Sequence, residues 1–128
     1  MILVDSSVWI DHLRGGDPIL TDLLNVSGVL AHPFVTGELA LGSFRNRDVI
    51  LGALRGLPQA IVAQDPEVSH LIEQHRLFGL GIGYVDAHLL ASVKLTPDAS
   101  LWTRDRRLHE VAARLGVATE PARAAIGK

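Results

Sequence analysis

The chain opens on Met1-Ile-Leu-Val4, an apolar run without polar alternation that stops at Asp5-Ser6-Ser7. Such a run predicts a short strand buried on both faces, passing into a helix capped by Ser6 or Ser7. Val8, Trp9, Ile10 and Leu13 carry the helical stripe, and Gly15-Gly16 ends it. Asp17-Pro18 opens a second helix, with Asp as cap and Pro in the first turn, and Ile19, Leu20, Leu23 and Leu24 form its apolar face. Val29-Leu30-Ala31 follows as a second strand. Beyond Pro33 a third helix extends to about Ser43, a fourth covers Asp48 to Arg55, and Gln59 to Ala63 reads as a third strand.

Asp65-Pro66 repeats the cap-then-proline start, and Val68, Leu71, Ile72 and His75 form a stripe that lasts until Gly79. Gly79, Gly81 and Gly83 mark a loop. Tyr84 to Val93 is then helical, Ser100 to Thr103 a strand, Asp105 to Leu115 a closing helix and Val117-Ala118-Thr119 an edge strand, ahead of an alanine-rich tail at Ala122 to Ala125. Strands separated by helices, not by two-residue turns, predict an α/β layer fold with a mostly parallel sheet.

The 128 residues suit one domain over 1–128, and 48% hydrophobic against 20% charged residues supplies enough apolar surface to exclude disorder. The longest stretch free of charged residues, Leu23 to Gly37, holds Asn25 and Pro33 and is too short for a bilayer, which needs about 20 apolar residues. The opening residues lack a basic leader, so a cytoplasmic protein without a membrane anchor is expected. With no Cys, any metal must be held by oxygen or imidazole. The six His offer no HxxxH spacing, which argues against a zinc centre. The net charge of −2 gives no global field for nucleic acid, but the first 44 residues hold Arg14 alone against five acids, so positive charge gathers later.

In a parallel sheet, function collects beyond the carboxyl ends of the strands. Asp5 lies at one such end and Asp105 at another; Asp86 falls in the first turn of its helix, and Glu38 within the helix after the second strand. Asp105 also suits a helix cap, and Asp86 a partner for the helix dipole. Four acids converging on one sheet edge would repel, at roughly 4 kcal/mol per pair for ~4 Å in an effective dielectric near 20, unless a cation sits among them. Oxygen-only ligation suits Mg²⁺ or Mn²⁺, and the matching chemistry is hydrolysis of a phosphodiester.

Four blocks, I-L-V-D-S-S-V-W-I-D-H-L, P-F-V-T-G-E-L-A-L-G, G-I-G-Y-V-D-A-H-L-L-A-S and L-W-T-R-D-R-R-L, together resemble the motifs of the PIN domain, and within it the VapC toxins of type II toxin-antitoxin pairs. The resemblance covers nearly the whole chain. It implies a three-layer α/β/α sandwich with a short, mostly parallel sheet, a homodimer, Mg²⁺- or Mn²⁺-dependent endoribonuclease activity on RNA, and inhibition by a cognate VapB-like antitoxin. Asp5, Glu38, Asp86 and Asp105 match the four acids in order as catalytic and metal-binding residues. Ser7 and Thr103 match hydroxyl positions that orient a carboxylate, water or phosphate. Ser6 stands where the family often has Thr.

Arg104, Arg106 and Arg107 surround the fourth acid and are candidate contacts for RNA phosphates, with Arg45 and Arg47 as a second basic patch. His88 is expected to pack on another side of its helix from Asp86. The glycines of 79–83 follow a helix and not a strand, the wrong context for a dinucleotide-binding loop. The aromatic residues are expected in the core or an interface, and Leu20 to Leu24 and Val49 to Leu54 as dimer or antitoxin surfaces or as ordinary core. Two other readings are open. A phosphoacceptor signalling domain would pair acids after the first strand with a late Lys, yet the only Lys are Lys94 and Lys128. An inactive binding module would not need to keep the four acids.

Overall fold

The computed structural model describes residues 1–121, so the alanine-rich tail expected at Ala122 to Ala125 lies outside the described residues. The order of elements is β1 (Ile2–Val4), α1 (Ser6–Gly15), α2 (Pro18–Asn25), β2 (Val29–Leu30), α3 (Pro33–Ala40), α4 (Arg47–Gly56), α5 (Asp65–His75), α6 (Tyr84–Leu95), β3 (Ser100–Trp102) and α7 (Arg106–Arg114). The three strands form one parallel sheet in the order β2-β1-β3. Neighbouring side chains on a strand point to opposite faces, and Leu3 and Val4 of the central strand are both fully buried. Helices therefore cover both faces, giving the α/β sandwich that the alternating pattern predicts. β1 has β2 on one side and β3 on the other, so the chain reverses its direction of travel across the sheet there. The crevice beyond the carboxyl ends of β1 and β3 is the place such a sheet offers a ligand.

Several expectations change in the structure. The segment Gln59 to Ala63 makes only a single bridge, Gln59 to Ala31. The reason is competition: the Ile61 amide donates to Thr96 Oγ1 at 2.9 Å and the Ala63 amide to Ser92 Oγ at 3.2 Å, so α6 side chains take the donors a ladder would need. The edge strand at 117–119 likewise reduces to one bridge, Leu101 to Ala118. Helix α3 ends at Ala40, not Ser43, and Arg47 donates to the Ala40 carbonyl from Nε at 3.2 Å and Nη2 at 2.6 Å. Arg47 thereby closes a helix C-terminus instead of joining Arg45 in a free basic patch. Helix α5 stops at His75, where Arg76 turns left-handed at φ 52°, well before Gly79.

The apolar segments divide in the same way. Leu20, Leu23, Leu51 and Leu54 are core residues, and from those two segments Val49 stands out into solvent. Trp9 and Trp102 are buried as expected, but Phe34, Phe78 and Tyr84 are exposed. His32 has a role the sequence did not reveal. It is fully buried, its Nδ1 accepts the Phe34 amide at 3.0 Å as the cap of α3, and its Nε2 meets Ser92 Oγ at 2.9 Å. Burial, with a smaller contribution from the charge of His88, lowers its pKa from 6.5 to about 4.

Candidate active site

β1 ends at Val4 and delivers Asp5, still buried, to the carboxyl edge of the sheet, where its amide donates to the Trp102 carbonyl of β3 at 2.9 Å. Asp5 is the N-cap residue of α1, yet its side chain caps nothing. Nor do the two serines expected as caps. Ser7 Oγ donates to Asp5 Oδ2 at 2.8 Å, and the Ser6 hydroxyl interacts with Glu38. Carboxylates next to the helix start have drawn both hydroxyls away from the helix amides.

Thr103, the residue after β3, completes this arrangement. Its Oγ1 donates to the same Asp5 Oδ2 at 2.8 Å. Each hydroxyl also accepts a backbone amide: Ser7 Oγ from Arg104 at 3.0 Å, and Thr103 Oγ1 from Asp105 at 3.0 Å. An amide on a hydroxyl's lone pair leaves its proton to be donated elsewhere. Both protons therefore go to one oxygen of Asp5. The positions resembling the family's hydroxyls thus hold one face of a buried carboxylate, and Oδ1 makes no hydrogen bond among the described residues.

The other three acids approach from different elements. Asp86, in the first turn of α6, accepts the Gly83 amide on Oδ2 at 3.1 Å. Burial pushes its carboxyl above the ordinary range; the Gly83 amide opposes this, and the charges of Asp5 and Asp105 add to it. Glu38, on α3, is raised first by burial and then by the charge of Asp5, with the Ser6 hydroxyl opposing and Asp86 adding. Asp105 is the N-cap of α7 and accepts the Leu108 amide on Oδ1 at 3.1 Å, so the cap reading holds for one of its oxygens. The charges of Asp5 and Asp86 therefore bear on Glu38, and those of Asp5 and Asp105 on Asp86. They do not form a closed cage: among the described residues no three acid or imidazole side chains gather at metal-ligand spacing.

This donor set fits a hard cation. All its atoms are oxygen, burial and then the charge of neighbouring acids raise two of the carboxyls, and magnesium is usually held through one or two carboxylates with water completing the shell. The arginines near the site have separate fates. Arg104 turns away, pairing with Asp11 at 2.7 Å and with Asp17, while its guanidinium lies 5.4 Å from the Trp102 ring centre. Burial alone would push the Asp17 carboxyl up, but the Arg104 bond and the amides of Leu20 and Ile19 bring it below its ordinary value. Arg106 pairs with Glu110 at 3.2 Å along α7. Arg107 makes no ion pair among the described residues. His88 packs as expected, 3% exposed, with Nε2 on Asp65 Oδ1 at 3.1 Å.

A groove of about 290 Å³ between α1 and α3 reaches Glu38 and is walled by Ile10, Leu13, Leu39 and Phe44, with Arg14 at its edge. No helix among the described residues is long and apolar enough to cross a membrane. No family model matches the chain. Two curated relatives from two strains of Mycobacterium tuberculosis, each named Ribonuclease VapC32, are 52% identical over 118 residues, which is 92% of this chain and 95% of theirs. A match of that length in a chain of 128 residues takes in Glu38, Asp86 and Asp105.

Proposed function

This chain belongs to the VapC family of PIN-domain proteins, and on that premise we propose that it is a divalent-metal-dependent endoribonuclease, the toxin of a toxin-antitoxin pair. The observation that carries the reading is Asp5, a buried carboxylate at the carboxyl edge of the sheet with one oxygen held by Ser7 and Thr103 and the other without a hydrogen bond among the described residues, whose charge also bears on Glu38 and Asp86. Asp5 and Asp86 would hold Mg²⁺ or Mn²⁺, with Glu38 and Asp105 at its margin. When bound, the ion polarises the scissile phosphate and makes water a stronger nucleophile near neutral pH.

The protein's own part is positioning and proton handling. Ser7 and Thr103 fix the plane of the Asp5 carboxylate, so that Oδ1 meets its ligand without losing rotational freedom at that moment. Glu38, at the edge of the crevice and with its carboxyl lifted by partial burial and by Asp5, is suited to take the proton released by an attacking water.

The substrate is RNA, the product a cleaved phosphodiester. The apolar groove ending at Glu38 supports a protein antitoxin that covers the acids, and the exposed Phe78, Tyr84 and Val49 support a homodimer. Mass measurement of the protein alone, and after mixing with the product of a neighbouring reading frame, tests both; a monomer that ignores that product would reject them.

Asp5→Asn and Asp86→Asn test the enzyme. Each should lower RNA cleavage in Mg²⁺ or Mn²⁺ by at least about 100-fold, the usual scale for losing a positioned catalytic group. Cleavage at the parent rate by either purified variant would remove the proposed site.

A further inference from the structure

Beside the fourth acid lies an open cavity of about 600 Å³, lined by Gly81, Asp105, Arg106, Arg107 and Glu110. It joins the start of α7 to the loop that precedes α6. Two of its charged walls, Arg106 and Glu110, neutralise each other. Arg104, which precedes Asp105, is committed to Asp11 and Asp17 and faces α1 and α2 instead. Of the three arginines around the fourth acid, Arg107 alone keeps an exposed guanidinium without an ion pair among the described residues.

Its place is set by a glycine. Gly81 has φ +80°, and a Cβ built there would stand 2.6 Å from Arg107 Nη1 and 2.8 Å from Arg107 Cδ. The side chain thus lies directly across the backbone of Gly81, in space that any other residue would fill. Two residues on, the Gly83 amide holds Asp86 Oδ2. The Arg107 side chain therefore spans the gap between the loop that anchors Asp86 and the helix capped by Asp105. A guanidinium without an ion pair among the described residues, in a cavity that Asp105 also lines, suits a ligand that brings its own negative charge to the same place.

We infer that Arg107, seated on Gly81, binds a phosphate of the RNA backbone next to the one being cleaved. The inference rests on the nuclease reading for its substrate but not for its geometry. It gives the loop of 79–83 a purpose: its glycine at 81 is a saddle for an arginine, not a cradle for a phosphate. It also separates the three arginines, making Arg104 a structural clamp, Arg106 a helix-surface residue and Arg107 the substrate contact.

Binding of a fluorescein-labelled, mixed-sequence RNA 12-mer, followed by anisotropy in Ca²⁺ over a range of salt, tests this beside steady-state cleavage in Mg²⁺ and thermal melting. Arg107→Ala should weaken binding by about 5- to 10-fold and flatten the plot of log affinity against log salt by ~0.7, one single-strand phosphate contact. KM should rise accordingly, and the melting temperature should not move. Arg107→Lys should retain the salt slope, and Arg106→Ala should behave as the parent. Gly81→Ala should weaken binding in the parent but add little to Arg107→Ala, because both act through one guanidinium. An Arg107→Ala protein with parental affinity, KM and slope overturns the inference, as does a loss of affinity that tracks a fall in melting temperature with the slope intact. A parent that binds RNA through Arg107 yet cleaves none would overturn the nuclease reading and leave Arg107 standing. A parent that cleaves while ignoring Arg107→Ala would do the reverse.

Discussion

At Asp86 the folded state carries a charge it would be more stable without. Its carboxyl is raised by burial and by Asp5 and Asp105, so the metal-free fold binds a proton more readily than the unfolded chain does. That contribution favours the fold at low pH and is lost as pH rises through the raised value. Asp86→Asn should accordingly raise the melting temperature of chelator-treated protein at pH 7, while Mg²⁺ or Mn²⁺ should stabilise the parent more than the variant. Scanning calorimetry of the two proteins with and without metal checks this; a variant that melts lower without metal contradicts it. His32 acts in the opposite direction. Its pKa falls from 6.5 to about 4 in the fold, so the unfolded chain takes up the proton first and stability declines as pH drops from 6.5 to about 4. At about 1.4 kcal/mol per unit, the loss approaches roughly 3 kcal/mol. His32→Asn, which keeps an acceptor for the Phe34 amide, should flatten urea-derived stability over that interval by about one proton; an unchanged slope would mean that other groups set the acid limit.

Among the elements, the joint between the β3–α7 turn and the α1–α2 pair is the one on which site geometry depends. Arg104 bridges Asp11 of α1 and Asp17, the cap of α2, and its amide sits on Ser7 Oγ, one bond from Asp5. Arg104→Ala should cost about 1 kcal/mol in urea unfolding, the upper end for partly exposed pairs. It should also lower cleavage more than that change in stability explains, because the Ser7 proton loses its fixed direction. Full activity in a folded Arg104→Ala protein would show that the turn holds without its clamp. The same joint explains why Ser6 and Ser7 mislead as helix caps. Their sequence context is that of capping residues, but Ser7 finds the Asp5 carboxylate and Ser6 that of Glu38, and hydrogen bonds to charged groups are the stronger ones.

For the whole molecule, the α/β class, most helix positions, the three parallel strands and the four acids as candidates are legible in the chain's pattern, because period and punctuation are local properties. Buried runs at Met1 to Val4, Val29 to Ala31 and Ser100 to Thr103 are legible without any partner. Whether a segment pairs is not local. Gln59 to Ala63 has strand composition, yet Thr96 and Ser92 of α6 bind its amides, and nothing within those five residues foretells it. Which arginine is free, which aromatic rings face water and which oxygen of Asp5 stays open were likewise decided only by tertiary structure. Each depends on charges and donors that stand far apart in the chain: Thr103 lies 98 residues from the carboxylate it holds. An amino-acid sequence states what each side chain can donate, accept or bury, and folding alone selects the one partner that satisfies it.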